Sequence, residues 1–329
     1  MTAIGIVGTA SYLPPNVVTN ADLARTLPTT DEWIRSRTGI RTRRWATDET
    51  TSGMAANAAR QLLGEQGKAA GAIVVATSSP DQVQPSTACL VQQQLGLSGI
   101  PAFDVGAVCS GFVYGLVVAA AMAEVHRDMA PAVVIGAERY SRILDPEDRT
   151  ATVFFGDGAG AVLLAEVPDG YGILSTRLTA HGEHSHVVGV RAGGTTLPAS
   201  ATTLAERQHY FHMLGPQVWE YATTTLPLLV KDTLHAANLT PDDIDLVVMH
   251  QANLRLIEEV LSACGVSSDR AETTVETCGN TAAASIPLTL DQAVRRGRLK
   301  DGDVVLLAGV GGGMTAGCVA LRWYDPTTS

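Results

Sequence analysis

The sequence lacks the cysteine and charge patterns of secreted, zinc-binding or nucleic-acid-binding proteins. Its 329 residues include five cysteines, an odd number, with no C-x-x-C pair. This pattern predicts neither a disulfide framework nor a zinc site. Charged residues make up only 17% of the chain, the formal net charge is −10, and no basic run is present. A nucleic-acid partner is therefore not expected.

Long hydrophobic runs are also missing. The longest, from Phe112 to Val125, is too short and too rich in glycine and alanine to span a membrane. Strand-like residues begin at Ile4, so we expect no signal peptide, and we predict a reduced cytoplasmic protein without a membrane partner. The apolar content of 46% is sufficient for a sizeable core.

Strand-like and helix-like segments alternate along the chain, which predicts an α/β fold. Several of them recur in the same order: AIVVATSS (72–79) and LVVMHQAN (246–253), DVGAVCSGF (104–112) and TVETCGNTAAAS (274–285), AVVIGAE (132–138) and VVLLAGV (304–310), FFGDGAGAVLLAE (154–166) and GGGMTAGCVALRW (311–323). This repeat predicts two duplicated halves, 1–170 and 171–329, stacked about a pseudo-two-fold axis. Within the second half we expect helix over 205–236, and a strand, a turn and a helix over 273–297.

Cys109 is the strongest candidate nucleophile. It lies where an apolar strand turns into an alanine-rich helix, close to unpaired N–H groups and the positive end of the helix dipole. Both features predict a lowered thiol pKa and an acyl-accepting thiolate. The alternative is a small buried core residue. The pseudo-symmetry places His250 and Asn280 beside Cys109, although alone each is also typical of an ordinary strand end or turn.

These residue types suit acyl transfer through a thioester. Cys109 would attack the carbonyl, and the backbone N–H groups of Cys109 and Gly312 would form the oxyanion hole. His250 and Asn280 would then donate hydrogen bonds to a malonyl thioester and stabilise the enolate left after loss of carbon dioxide.

The chain resembles the β-ketoacyl-acyl carrier protein synthase III family of the thiolase-like superfamily. The resemblance rests on motifs spread over nearly the whole chain: GTASYLP (8–14), DEWIRSRTGIRTRR (31–44), FDVGAVCSGF (103–112), DPEDRTATVFFGDGAGA (145–161), HQANLRLIE (250–258), GNTAAASIPLTL (279–290) and GVGGGMT (309–315). It implies a five-layered αβαβα fold, a homodimer, and catalytic roles for Cys109, His250 and Asn280.

The same resemblance implies binding of coenzyme A by Trp33, Arg37, Arg149, Asn253 and Arg255. Acyl-coenzyme A or an acyl carrier protein would be a substrate, and neither a metal nor a separate cofactor is expected. A cluster of arginines follows Trp33 closely in the sequence and suits phosphate binding: Arg35, Arg37, Arg41, Arg43 and Arg44. For Arg35, Arg43 and Arg44 a surface position is the alternative.

Departures from the family pattern concern the tunnel and its mouth. Positions that are basic in well-known members are Glu220, Ser262 and Ala263 here, an aromatic that often closes the acyl pocket is Gln84, and an asparagine is Pro216. The acceptor therefore stays open between a malonyl carrier protein and a small-molecule hydroxyl or amine, as in natural-product relatives. A non-catalytic partner subunit is disfavoured because such subunits typically lack the cysteine.

Overall fold

The computed structural model describes residues 3–64 and 70–327. The strands are β1 (Ala3–Tyr12), β2 (Val17–Thr19), β3 (Thr42–Arg44), β4 (Ala72–Ala76), β5 (Ala102–Val105), β6 (Ala132–Glu138), β7 (Gly158–Val167), β8 (Gly172–Ala180), β9 (Val188–Val190), β10 (Phe211–Met213), β11 (Leu246–Met249), β12 (Val304–Gly311) and β13 (Thr315–Arg322).

The helices are α1 (Asn20–Leu23), α2 (Asp31–Thr38), α3 (Thr51–Leu63), α4 (Thr87–Gln94), α5 (Gly111–Val125), α6 (Arg149–Thr152), α7 (Ala201–Ala205), α8 (Gly215–Ala236), α9 (Leu254–Ala263), α10 (Val275–Cys278) and α11 (Ser285–Arg295). Short 3-10 turns cover Val108–Ser110, Arg127–Met129, Tyr140–Arg142, Gly182–His184, Pro241–Asp243, Ser268–Arg270 and Ala282–Ala284.

Two mixed sheets share the topology of four strands, and the first sheet has β5 in addition. The first has the order β1-β7-β6-β4-β5, and the second has β8-β13-β12-β11. In the first, β4 is parallel to both β6 and β5, while β6 and β1 are antiparallel to β7. In the second, β11 is parallel to β12, while β12 and β8 are antiparallel to β13. The match is the structural counterpart of the sequence repeat, with strands of the first sheet from residues 3–167 and of the second from 172–322.

Three apolar cores separate five layers of structure. One core lies between α3 and the outer face of the first sheet, a second contains α5 and α11 between the two sheets, and a third lies between the second sheet and helices α8 and α9. The order of layers is therefore αβαβα, as the resemblance implies.

Small residues let the central helices approach the first sheet closely. A Cβ on Gly160 of β7 would lie 2.4 Å from the backbone nitrogen of Leu288 in α11. A Cβ on Gly136 of β6 would lie 2.2 Å from the carbonyl oxygen of Ala283. A helical segment at Val108–Val125 is long and apolar enough to cross a membrane, but 56% of it is buried within the protein. Its apolar character is accounted for by its place between the sheets.

Two expectations for the second half are wrong. The predicted helix over 205–236 begins only at Gly215, because residues 211–213 form strand β10, which pairs with β9. The predicted strand at the start of 273–297 is the short helix α10. Residues 274–278 therefore have no place in the second sheet, and they instead lead directly into the turn that carries Asn280.

The two halves contain matching backbone turns before their central helices. Val108 precedes Cys109 with φ 48°, and Ala282 precedes Ala283 with φ 45°. Each begins a 3-10 turn that continues into α5 or α11. A positive φ is uncommon for residues other than glycine, and such positions concentrate at functional sites. The two turns contact each other at the boundary between the halves.

Candidate active site

A narrow apolar pocket opens at the carboxyl ends of the parallel strands. Its volume is about 200 Å³, and its lining includes Cys109 and Asn280 together with His250, which follows β11. The structure thus brings together the three residues proposed as catalytic. Ligand sites of α/β sheets commonly occur at this end of the strands.

Cys109 is held rigidly at the pocket floor. It is the central residue of the turn Val108–Ser110, and only 9% of its surface is exposed. The hydroxyl of Ser110 donates to the carbonyl of Ala107 at 2.9 Å and lies 2.8 Å from the hydroxyl of Thr315. The first bond closes the turn on itself, and the contact with Thr315 of β13 ties the turn to the second sheet.

The prediction of a lowered thiol pKa is wrong, because the site is buried. Burial raises the pKa of Cys109 well above its ordinary value, and the negative charge of Glu138 raises it further. A hydrogen bond from the backbone of Cys109 works in the opposite direction. Burial therefore favours the neutral thiol, and attack of that form on a carbonyl needs a nearby base.

His250 is suited to that role as a neutral imidazole. Burial lowers its pKa to about 4, partly offset by a backbone hydrogen bond with Ala282. Its Nδ1 lies 2.7 Å from the hydroxyl of Ser285, which leaves Nε2 as the ring nitrogen not engaged by that serine. A hydroxyl can either donate or accept, so Ser285 is compatible with both neutral tautomers. Nε2 can consequently accept a proton in one step and donate a hydrogen bond in another.

Asn280 presents a hydrogen-bond donor to the pocket. Its Oδ1 accepts from the backbone N–H of Ala282 at 2.8 Å, which leaves the amide NH₂ group as the free end of the side chain. Its backbone is tied to the first half, because its N–H donates to Phe154 at 2.8 Å and its carbonyl accepts from Gly156 at 3.0 Å. The orientation of the amide is thus fixed by its neighbours.

Glycines at the end of β12 and in the turn that follows it lie directly against the cysteine turn. A Cβ on Gly311 would lie 2.4 Å from the oxygen of Ala107, 2.7 Å from the nitrogen of Ser110 and 2.9 Å from the nitrogen of Cys109. Gly312 lines the pocket beside Cys109. Only glycine permits so close an approach of two backbones.

Comparison with known proteins assigns the family. Residues 103–182 match the family model of 3-oxoacyl-[acyl-carrier-protein (ACP)] synthase III, and residues 234–323 match that of its C-terminal part. The β-ketoacyl-[acyl-carrier-protein] synthase III of Rhizorhabdus wittichii is 46% identical over 97% of this chain and 98% of its own length. That of Oceanobacillus iheyensis is 44% identical over 97% and 99%. The chain belongs to the β-ketoacyl-[acyl-carrier-protein] synthase III family.

Solved structures agree with this assignment. The 3-oxoacyl-[acyl-carrier-protein] synthase III of Aquifex aeolicus superposes with a TM-score of 0.87 at 38% identity, covering 98% of this chain and 100% of that one. The priming β-ketosynthase of the R1128 polyketide pathway gives a TM-score of 0.89 at 29% identity, with coverages of 98% and 97%. The protein is therefore an acyltransferase, a condensing enzyme of the synthase III type.

Phe155 and Phe211 line the synthase pocket, and both pack against the buried ring of Tyr140. Tyr140 stacks on Phe155 with ring centroids 4.5 Å apart, and Phe211 packs edge-on against both. All three share one buried cluster with Cys109. The contribution of Phe211 was missed because the sequence pattern around it indicated a helix.

Three contacts join the residues proposed to bind coenzyme A, and one of these residues, Asn253, lines the pocket. The guanidinium of Arg149 lies 4.9 Å from the ring centroid of Trp33, a cation–π contact. Asn253 lines the pocket and donates to the backbone carbonyl of Arg37 at 3.1 Å. Asn253 also caps α9 by accepting from the backbone N–H of Arg255. The structure thus brings these five residues to one side of the enzyme.

Arg43 does not belong to the proposed phosphate-binding or surface arginines. It is fully buried and donates to Asn20 Oδ1 and to the carbonyl of Val153, both at 2.8 Å. Burial lowers its pKa to about 10, with the charge of Asp31 acting in the opposite direction. Side chains of a strand alternate between its two faces, so Arg43 points inward from β3. Its hydrogen bonds hold β3 against the core.

Two polar residues that lie behind the catalytic side chains were not predicted from the sequence. Ser285 contacts His250, and it follows Asn280 by five residues in a motif already singled out. Glu138 ends the apolar strand β6 and is completely buried. An acidic residue within so apolar a segment was an available signal, because a carboxylate is rarely buried without dedicated partners.

Proposed function

We propose that this synthase transfers an acyl group from an acyl-coenzyme A thioester to Cys109 and condenses it with a malonyl thioester. In the first step the sulfur of Cys109 attacks the thioester carbonyl while His250 accepts the thiol proton. Backbone N–H groups of Cys109 and Gly312 stabilise the oxyanion. The carbon–sulfur bond of the donor then breaks, and coenzyme A leaves as the thiol after regaining the proton from His250.

In the second step the malonyl thioester carbonyl accepts hydrogen bonds from His250 and Asn280. Its carboxylate leaves as carbon dioxide, and the electron pair forms an enolate held by those two donors. The enolate carbon attacks the acyl carbonyl on Cys109, a carbon–carbon bond forms, and the cysteine sulfur leaves as a thiolate that takes a proton from solvent. The fixed amide of Asn280 is the observation that carries this proposal, because a neutral donor is required there at every pH.

We propose that the phosphates and adenine of coenzyme A bind at the mouth defined by Trp33, Arg37, Arg149, Asn253 and Arg255. Arg37 and Arg255 are exposed and cationic, which suits phosphate groups, and the half-buried Trp33 offers a ring for stacking. Glu220, Ser262 and Ala263 are exposed as well, so only Arg255 among the matched positions carries positive charge. Binding of an acidic carrier protein at this surface would therefore be weak and sensitive to salt.

The acceptor is tested by carbon dioxide release. Wild-type enzyme with acyl-coenzyme A and radiolabelled malonyl carrier protein is expected to release carbon dioxide in proportion to β-ketoacyl product. The Asn280→Ala variant should still acquire the acyl group on Cys109. Acylation of Cys109 without any release of carbon dioxide, together with transfer to an added alcohol or amine, would replace condensation by the alternative acyltransferase activity.

We further propose that the enzyme is a homodimer in the reducing cytoplasm. Strand β5 pairs with β4 at the end of its sheet, and the described residues contain no strand on its other side, so a second chain can extend the sheet. Cys109 must remain a free thiol, as all five cysteines are here. Sedimentation equilibrium should give a particle of two chains, whereas a one-chain particle at micromolar concentration would contradict the dimer.

A further inference from the structure

One wall of the pocket lies outside both main sheets. This β9–β10 wall, residues 188–190 and 211–213, contributes three residues to the pocket lining, Val188, Phe211 and Met213. Among the residues that the structure describes, its two strands pair with each other alone. The position of the wall therefore depends on contacts that it makes with the rest of the enzyme.

Phe211 makes two kinds of contact with the first half of the chain. Its backbone N–H donates to the carbonyl of Ile143 at 2.7 Å. Its ring packs edge-on against those of Tyr140 and Phe155, with centroids 5.2 Å and 5.0 Å away. Ile143 directly follows the 3-10 turn that carries Tyr140. The wall therefore rests against this turn and the residues after it.

An ion pair joins the same two segments. Arg207 precedes Phe211 by four residues, and Asp145 follows Ile143 by two. Nε of Arg207 donates to Oδ2 of Asp145 at 2.7 Å, and Nη2 donates to Oδ1. Two parallel bonds of this kind make an arginine–carboxylate pair stronger and more specific than a single hydrogen bond. Nη1 makes a further bond of 3.1 Å to the highly exposed Glu147.

Both partners of the pair are held in place by other groups. The side chain of Asp145 is only 17% exposed, and its Oδ1 also accepts from the backbone N–H of Glu147 at 2.8 Å. The carbonyl of Asp145 accepts from the hydroxyl of Thr152 in α6 at 2.7 Å. Arg207 follows α7 with a left-handed φ of 59°, a conformation that residues other than glycine adopt only where their surroundings favour it. The pair thus avoids much of the ordering cost that weakens ion pairs between mobile side chains.

We propose that the Arg207–Asp145 pair positions the β9–β10 wall and thereby sets the length of acyl chain that the synthase accepts. With the pair intact, the Phe211 ring stays in the buried cluster that it shares with Cys109, and the pocket keeps its volume of about 200 Å³. Without the pair, fewer contacts oppose an outward movement of the wall, so a longer chain displaces it at lower cost. Arg207 acts through Phe211 and is a positioning residue. This inference rests on the proposed loading of Cys109 from acyl-coenzyme A.

Chain-length preference tests the effect on the reaction. The rate of Cys109 acylation is measured by intact-mass spectrometry with acyl-coenzyme A thioesters shorter and longer than the wild-type optimum. Arg207→Gln should raise the ratio of the long-chain to the short-chain rate about fivefold, the size expected for loss of an ordered ion pair. Glu147→Gln removes only the exposed contact of the same arginine and should leave the ratio unchanged. An unchanged ratio in Arg207→Gln, or an equal rise in Glu147→Gln, would overturn the proposal.

A double-mutant cycle separates the pair from its two members. Asp145→Asn keeps an oxygen for the N–H of Glu147 but removes the charge, so it should change the ratio as much as Arg207→Gln does. The double variant should change the ratio no further, because either substitution alone already breaks the pair. Effects that multiply in the double variant would show that the two residues act independently and would contradict the proposal.

Hydrogen exchange measures the position of the wall without any acylation. In Asp145→Asn the peptide that covers residues 208–214 should exchange about fivefold faster than in wild type, because the N–H of Phe211 leaves Ile143 more often. The surface helix α9, which packs against α8, should exchange at the wild-type rate. Unchanged exchange over 208–214, or equal acceleration in α9, would overturn the proposal. If no thioester acylates wild type, the proposed function fails, whereas the exchange of residues 208–214 still decides whether the pair holds the wall.

Discussion

A methyl group added at Gly311 should displace the nucleophile. The added Cβ would meet the oxygen of Ala107 at 2.4 Å, and backbone atoms of Ser110 and Cys109 at 2.7 Å and 2.9 Å. Ordinary van der Waals contact begins near 3.4 Å, so the two backbones must separate by about 1 Å. Since the nearest atoms are all backbone, no side chain can rotate away to relieve the overlap.

The expected cost has two parts. Overpacking of this kind destabilises a protein by about 1–3 kcal/mol, which thermal unfolding will show as a lower midpoint. A displacement of about 1 Å at a reacting atom costs about 100-fold in rate. We therefore expect Gly311→Ala to fold and to acylate Cys109 about 100-fold more slowly than wild type, as measured by intact-mass spectrometry over time.

Two other glycines provide a graded control. A Cβ on Gly106 would have no neighbour within 4 Å, so Gly106→Ala should acylate at the wild-type rate. A Cβ on Gly309 would meet the flexible end of Ile286 at 3.2 Å, so its alanine variant should lie between the other two. A Gly311→Ala enzyme that acylates as fast as Gly106→Ala would refute the argument that this contact positions Cys109.

The remaining predictions concern the other side chains of the site. Asn280→Asp keeps the bond to Ala282 but replaces the donor by an acceptor, so decarboxylation should fall by about 10²–10³ while acylation changes by only a few-fold; equal losses in both assays would contradict this division of roles. Burial lowers the pKa of His250 from 6.5 to about 4, so protonation favours the unfolded chain between these values. The free energy of unfolding should therefore be undiminished above pH 6.5 and should fall by about 3 kcal/mol in total as the pH drops to 4. Urea unfolding of His250→Gln should show a correspondingly shallower decline over that window, and parallel curves would argue against a buried neutral imidazole. Phe211→Ala should enlarge the acyl pocket and shift donor preference towards longer acyl-coenzyme A chains, as measured by kcat/KM across a chain-length series, and an unchanged preference would exclude Phe211 as a pocket wall.

Much of this architecture could be predicted from the sequence, because the apolar strand segments of the first half recur in the second. Each strand of the β4, β6 and β7 group is a continuous apolar run, as buried strands are, and its counterpart in the second half has the same character. The position of Cys109 opposite His250 and Asn280 followed from that symmetry. The same reasoning failed at residues 274–278, where the first half has a strand and the second has only a helical turn.

Other features depend on tertiary context that no local pattern carries. The pKa of Cys109 is set by burial and by Glu138, and neither is visible in the turn itself. Phe211 lies in a short strand that pairs, among the residues the structure describes, with β9 alone, so helix propensity in its flanks misled the prediction. Arg43 is buried because its guanidinium finds acceptors from β2, α1 and the end of α6, which are distant in sequence.

Covalent loading of Cys109 tests the central claim most directly. Wild-type protein is incubated with acyl-coenzyme A thioesters of increasing chain length in the absence of malonyl donor, and its intact mass is measured. We expect a single added acyl group that maps to the Cys109 peptide and is absent from Cys109→Ser. An acyl group on another residue, or an unmodified wild-type protein with every thioester, would contradict the account.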